Sequence, residues 1–195
     1  MGWLQGLQRL LDRLAAQTGE LVRLSVVDGD RLTWVARAQG ARQGLRYDPD
    51  MGSIARLSCS SSGWAWLSTL KDDAALKLVS QQGLGMPQEF GPNAPKSLKA
   101  LLKALHETRK SGYALTEETY TAGLNAIAVP VGLAGQMPMG TISVAGPSSR
   151  LTRERMLAMV PQLMSAAAQM AAASGASPML SRGSHKSSLQ PIYAA

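Results

Sequence analysis

Hydrophobic and polar positions change their spacing several times along this chain, and each change marks an element. In residues 3–17, Leu4, Leu7, Leu11 and Leu14 recur at intervals of 3, 4 and 3, which predicts an amphipathic helix. Two heptads are too short for a free-standing coiled coil, yet the seam suits a partner helix. Leu10 widens the stripe, so packing on the chain's own domain fits equally well. Thr18-Gly19 ends it. Residues 21–27 and 32–38 are apolar runs on either side of Asp28-Gly29-Asp30, the pattern of a β-hairpin. A loop with Gly44, Pro49 and Gly52 follows, then a short apolar piece at 54–57.

The middle of the chain reads as helical. Residues 60–70 form one predicted helix, with Ser60 or Ser61 as its cap, and 72–80 a second. Residues 83–95 are irregular. Residues 97–110 carry Leu98, Leu101, Leu102 and Leu105 on one face, with Lys96, Lys99, Lys103 and Lys110 along another. Between Gly112 and Arg150 the period shortens again. An apolar run at 113–115 meets a polar turn with Glu117 and Glu118, residues 124–131 are apolar, 132–136 turn, and 139–145 are apolar: a β-meander. Its strands mix in small residues, among them Gly123, Ala126, Ala128, Gly140, Thr141, Ser143 and Ala145. Small side chains on one sheet face leave room for a ligand, which points to a sensor's pocket more than an enzyme's cleft. A last helix runs from its Thr152 cap to about residue 173, with Met156, Met159, Val160, Leu163 and Met164 inward and Pro161 as an expected kink. The remainder is rich in Ser and Gly and predicts a flexible tail. Helix, hairpin, helices, meander and helix make an α+β chain whose strands, from both ends, share one antiparallel sheet.

Composition narrows the function classes. The 195 residues are 45% hydrophobic, enough for a proper core and for one domain. The net charge of +7 gathers late in the chain, where Arg150, Arg153, Arg155, Arg182 and Lys186 face only Glu154. No compact basic and aromatic stripe forms, so direct DNA contact by this chain is not expected. The single cysteine, Cys59, allows no internal disulfide and suits a reducing cytoplasm. No signal peptide opens the chain, and the apolar stretch at 164–173 is too short and too weakly apolar for a bilayer span.

Chemistry finds little footing. His106 and His185 have no ligand partners at metal spacing. Cys59 has no motif that would place a base beside it, so a small buried residue fits better than a nucleophile. Ser68-Thr69-Leu70-Lys71 matches S-x-x-K without its companion motifs, and no phosphate loop or dinucleotide fingerprint occurs. No enzyme and no cofactor are expected. The run Cys59-Ser60-Ser61-Ser62-Gly63 is different, because serines at a helix start stand beside unpaired backbone N–H groups. Such a place accepts a carboxylate; plain capping explains the serines equally well.

Several pieces, in order and spacing, carry a family resemblance. They are Leu11-Asp12-Arg13-Leu14-Ala15 with Thr18-Gly19-Glu20; Leu24-Ser25-Val26-Val27-Asp28-Gly29-Asp30; Ser61-Ser62-Gly63-Trp64-Ala65-Trp66-Leu67; and Gly112-Tyr113-Ala114 with Glu118. Gly123-Leu124-Asn125-Ala126-Ile127-Ala128-Val129-Pro130-Val131 and Ile142-Ser143-Val144-Ala145-Gly146-Pro147 with Arg150-Leu151 complete them. The chain resembles the effector-binding domain of the IclR family of bacterial transcriptional regulators. That resemblance implies a GAF-like curved antiparallel sheet flanked by helices. It implies a linker helix at 1–19, the effector-binding domain at 20–173 and the tail at 174–195. A small-molecule effector, often an organic acid, would bind on the sheet. Carried over position by position, the effector-binding residues fall on Ser61, Ser62, Thr116, Leu124, Ala126, Ser143 and Ala145.

Departures shape the expected ligand. Family members that take small oxo-acids often have an acidic residue where Thr116 or Glu117 lies, Cys at Ala126 and Ser at Ala145, and Lys is common where Trp64 stands. The pocket should be roomier and less polar, suited to a larger, more apolar acid, aromatic acids included, with its carboxylate at the Ser61/Ser62 helix start. The family carries a winged helix-turn-helix before its linker helix, and this chain opens at the linker. The expectation is therefore a cytoplasmic sensor domain, homodimeric or tetrameric, that reaches DNA only through a winged domain outside this chain. A stand-alone GAF-like module and a small enzyme using Cys59 are the alternatives.

Overall fold

The computed structural model describes residues 3–174; of the expected tail only Ser174 falls within them, as the last residue of the final helix. Helix α1 (Trp3–Thr18) leads into the hairpin β1 (Leu21–Asp28) and β2 (Arg31–Gln39). Three helices follow, α2 (Ser61–Leu67), α3 (Asp72–Gln82) and α4 (Leu98–Ser111), with a 3-10 turn at Pro87–Glu89. Then come β3 (Ala114–Glu117), β4 (Leu124–Val131), β5 (Gly140–Pro147) and α5 (Arg153–Ser174). The strands form one antiparallel sheet in the order β2-β1-β5-β4-β3, so the hairpin and the meander meet along β1 and β5. The α+β antiparallel architecture is the one the sequence predicts.

Alternation along the strands decides what each face packs. Val22 and Leu24 of β1, Ile127 and Val129 of β4, and Ile142 and Val144 of β5 point to one side, into a core shared with Leu11, Leu14, Met156, Met159 and Leu163 of α1 and α5. Each such side chain contributes roughly 1.5–3 kcal/mol when fully buried. The opposite face packs Leu32, Trp34, Ala114 and Ala128 against Ala65, Trp66, Leu67, Leu101 and Leu105. Beside this second core lies a smaller cluster of Leu124, Ala126 and Ala145 with Tyr47 and Tyr120.

Several boundaries differ from the sequence reading. The helix predicted at 60–70 stops at Leu67, because the hydroxyls of Ser68 and Thr69 donate to the Ala65 and Trp66 carbonyls and turn the chain out of the helix. Ser60 caps it, accepting from the Gly63 N–H at 3.0 Å. β5 continues through Gly146 and Pro147, which remain paired with Asn125 and Leu124. α5 runs through Pro161 as one helix. It is the one described helix long and apolar enough to cross a bilayer, and its face bearing Met156, Met159, Leu163 and Met170 packs into the core. Met164, expected inward, and Leu98, expected on the leucine face of α4, are substantially exposed. Two glycines counted among the small residues serve the backbone instead. Gly123 holds a positive φ of 76° in a turn, and a Cβ on Gly140 would collide with the Ser25 carbonyl of the neighbouring strand.

Candidate functional site

The face of small residues that the meander pattern predicts is real, and the register assembles it. Ala126 pairs with Ala145 and with Thr116, Ala128 pairs with Ser143, and Ser143 pairs with Arg23 of β1. Thr116, Ala126, Ser143 and Ala145 thus stand side by side on one face, each buried, with Leu124 at the end of the row. Thr116 Oγ1 donates to the Ala126 carbonyl, and Ser143 Oγ lies 3.5 Å from the Arg23 carbonyl. Among these seven expected residues, the three apolar ones, Leu124, Ala126 and Ala145, form a single cluster.

Ser61 and Ser62 open α2, and α2 packs across β3, β4 and β5. Their amides are the first two of the helix and have no place in its internal ladder. Both side chains are buried. A tight local frame holds this turn. Ser60 Oγ also donates to the Arg56 carbonyl, Trp64 Nε1 donates to the Ser58 carbonyl, and Thr119 Oγ1 donates to the Cys59 carbonyl. A Cβ on Gly63 would strike the backbone of Leu57, so only glycine fits where the helix meets the preceding turn. The last of those bonds ties the helix start to the segment bearing Tyr120.

Three aromatic residues and one arginine lie around this face, and the sequence reading passed over all four. Trp34 on β2 meets Tyr120 edge to face at 6.2 Å. The Arg23 guanidinium lies 3.9 Å from the centre of the Trp34 ring and 5.5 Å from that of Tyr47. Tyr47 comes from the irregular loop after β2, which is pinned by Gln39 Nε2 to the Tyr47 carbonyl, Arg37 to Asp48, and Arg150 to the Leu45 carbonyl. Arg23 is only 5% exposed, and neither its Nε nor Trp34 Nε1 has a hydrogen-bond partner. Burial pulls the Arg23 pKa below its ordinary value, against the opposing influence of Tyr47 and Tyr120. Burial pushes both tyrosines up, so they stand as neutral phenols. The signal in the sequence was a lone charge inside the apolar run of β1.

Cys59 is buried, and desolvation pushes its thiol up to about 12, which leaves it protonated at neutral pH. His106 Nε2 meets Asp72 Oδ2 at 2.7 Å, and Arg109 reaches the other oxygen of Asp72, a surface ion pair between α3 and α4. Among the described residues no group of three or more His, Cys, Asp or Glu is arranged to hold a metal ion. An open surface cleft lined by Gly19, Gly40, Arg42, Arg150 and Arg155 lies near the α1–β1 junction, away from the small-residue row.

Comparison with known families decides the class. Residues 4–172 match the family described as "Bacterial transcriptional regulator IclR C-terminal". The chain belongs to the IclR family. It is 31% identical over 143 residues to the HTH-type transcriptional repressor AllR of Escherichia coli K12, covering 73% of this chain and 51% of that protein. The AllR of Salmonella typhimurium is 29% identical over 147 residues, covering 75% and 53%. The chain thus spans about half the length of these curated relatives. Among solved structures, the inducer-binding domain of PobR from Acinetobacter, a double mutant in complex with 3-hydroxybenzoic acid, superposes with a TM-score of 0.73. It is 25% identical and covers 85% of this chain and 95% of its own. The C-terminal domain of E. coli KdgR superposes at 0.74 with 22% identity, covering 90% and 99%, and shares the fold. The described residues correspond to the C-terminal domain of the IclR family.

Proposed function

We propose that this domain senses an organic acid with an apolar, aromatic body, and that the effector lies on the small-residue row of β3, β4 and β5. The observation that carries the reading is the row itself. Ala126, Ala145 and Leu124 form a small cluster whose partly buried hydrophobic neighbours are Tyr47 and Tyr120, whereas the α1/α5 side of the sheet is filled by Val22, Leu24, Ile127, Ile142 and Val144. A ligand there would touch Ser143 and Thr116 from the sheet and Ser61 and Ser62 from α2. The apolar lining disfavours a small, highly hydrated oxo-acid, whose polar groups would be left unmatched. PobR's inducer-binding domain holds an aromatic acid on a related fold, which supports the same class of ligand here.

On this reading α1 is the linker that carries effector state to a winged helix-turn-helix domain elsewhere in a cytoplasmic homodimer or tetramer. The domain acts by binding and not by chemistry; the protonated Cys59 thiol agrees with that. A thermal-shift screen tests it. At a hundredfold excess over Kd a ligand adds about 2.7 kcal/mol, or roughly 5–10 °C for a domain of this size. Stabilisation by glyoxylate or pyruvate and by no aromatic acid would sink the proposal.

A further inference from the structure

We infer that Arg23 is the residue that grips the charged end of the effector, by accepting a carboxylate at the edge of the small-residue row. The inference rests on the acid-sensor reading above and assigns its charge-binding residue. A guanidinium remains protonated throughout the physiological range, so an Arg that is 95% buried brings a full charge inside the protein. Such a charge is tolerable when a carboxylate faces it. None of the ion pairs among the described residues involves Arg23. Its neighbours are the Trp34 ring face and Tyr47, which meets it through both its ring and a hydrogen-bonding contact of its hydroxyl, with Tyr120 close by, and both phenols are held neutral.

The orphaned atoms say what is missing. Arg23 Nε and Trp34 Nε1 are both donors, sit on stacked side chains, and have no acceptor. The group that satisfies them must accept hydrogen bonds, and the uncompensated charge favours an anion. A carboxylate meets both conditions, and guanidinium–carboxylate geometry is the strongest of the charge-assisted pairs. Ser143, opposite Arg23 across the β1–β5 ladder, places this charge beside Ala126 and Ala145, so the apolar body of the same molecule would lie against Tyr47, Tyr120 and Leu124. The carboxylate therefore belongs at Arg23 and not at the start of α2, whose seven residues give only a short run of aligned peptide dipoles.

Matched acid and amide pairs test this: 3-hydroxybenzoate against 3-hydroxybenzamide, and hexanoate against hexanamide, titrated calorimetrically into the wild-type domain and Arg23→Gln. The wild type should prefer the acid of at least one pair by about tenfold or more, the size of a charge-assisted hydrogen bond. Arg23→Gln should bring acid and amide to within about threefold, mainly by weakening the acid, and Arg23→Lys should retain an intermediate preference. If Arg23→Gln proves unfolded, the Arg23 Nε–H signal in 15N NMR spectra of the wild type, assigned by its loss in Arg23→Lys, provides the readout. It should shift on adding the acid and not the amide. An acid preference that survives Arg23→Gln, or an Nε–H signal indifferent to a bound acid, overturns the assignment to Arg23 while leaving the sensor reading standing. A wild type that binds amides but no acid also overturns it, and one that no acid or amide of any class stabilises overturns the sensor reading itself.

Discussion

Two buried charges stand three residues apart at the head of β1, on opposite sides of the sheet, and they are treated in opposite ways. Glu20, 1% exposed, lies on the α1/α5 side, where a Cβ on Gly146 would collide with its carboxylate. Arg150 grips it with both Nε and Nη2 at 2.6 and 2.8 Å, and Arg155 adds a third bond at 3.1 Å. Arg155 also reaches the Thr18 carbonyl, so this ion cluster locks the end of α1 to the start of α5. Pairing with Glu20 raises the Arg150 pKa. Arg23, nearly as buried, has two aromatic faces and no carboxylate. The same contrast runs through the apolar residues: Val22, Leu24, Ile142 and Val144 fill the Glu20 side, and Ala126, Ser143 and Ala145 line the Arg23 side. On one face the buried charge is paired by two arginines, and on the other it meets aromatic side chains.

Substitutions at the two charges should therefore differ in sign as well as size. Glu20→Ala is expected to have the largest effect, about 2–4 kcal/mol of stability, toward the lower end for a broken buried ion pair because Arg150 and Arg155 can rehydrate. Thermal unfolding should show a fall in Tm of roughly 5–15 °C. Arg23→Met is expected to leave the free domain unchanged or to stabilise it by up to about 2 kcal/mol, since loss of an uncompensated charge offsets loss of the Trp34 stacking. A loss above about 2 kcal/mol in urea unfolding would show that Arg23 serves the fold itself and would erase the contrast.

The smallest effect is expected at a surface pair that belongs to neither face. For Asp72 desolvation would raise the pKa, but hydrogen bonds from His106 and Arg109 outweigh it and hold the carboxyl below its ordinary value. A depressed folded-state pKa means stability that is present above the unfolded value near 3.9 and lost as pH falls through the folded one. Because Asp72 is substantially exposed, Asp72→Asn should cost below about 1 kcal/mol at neutral pH. The wild-type advantage should vanish in acid, as denaturant midpoints at pH 7 and pH 2 would report.

Much of the fold was legible because local signals agreed with one another. Asp28-Gly29-Asp30 fixed the hairpin, Ser97 and Gly112 bracket α4 as cap and left-handed terminator, and alternation in the meander announced a small-residue face. Boundaries slipped where side chains compete with the backbone, as at Ser68 and Thr69. The family resemblance names the row Thr116, Ala126, Ser143 and Ala145 in advance, and the strand register is what sets its members side by side. The surroundings of Arg23 could not be named this way. They depend on the bulge between Leu24 and Ser25 that shifts the β1–β2 pairing near Trp34, and on an irregular loop that holds Tyr47 through bonds donated by Gln39, Arg37 and Arg150. A period-2 reading of β1 places Arg23 on the same face as Ser25, opposite Val22 and Leu24, but says nothing of what lies over it.

The most direct test of the contrast between the faces is a methyl NMR titration of the wild-type domain with 3-hydroxybenzoate. Methyl groups of Leu124, Ala126 and Ala145 should shift together and saturate, while those of Val22, Ile142 and Val144 on the filled face should stay within the noise. Shifts centred on the Val22, Ile142 and Val144 side, beneath α1 and α5, would contradict the account.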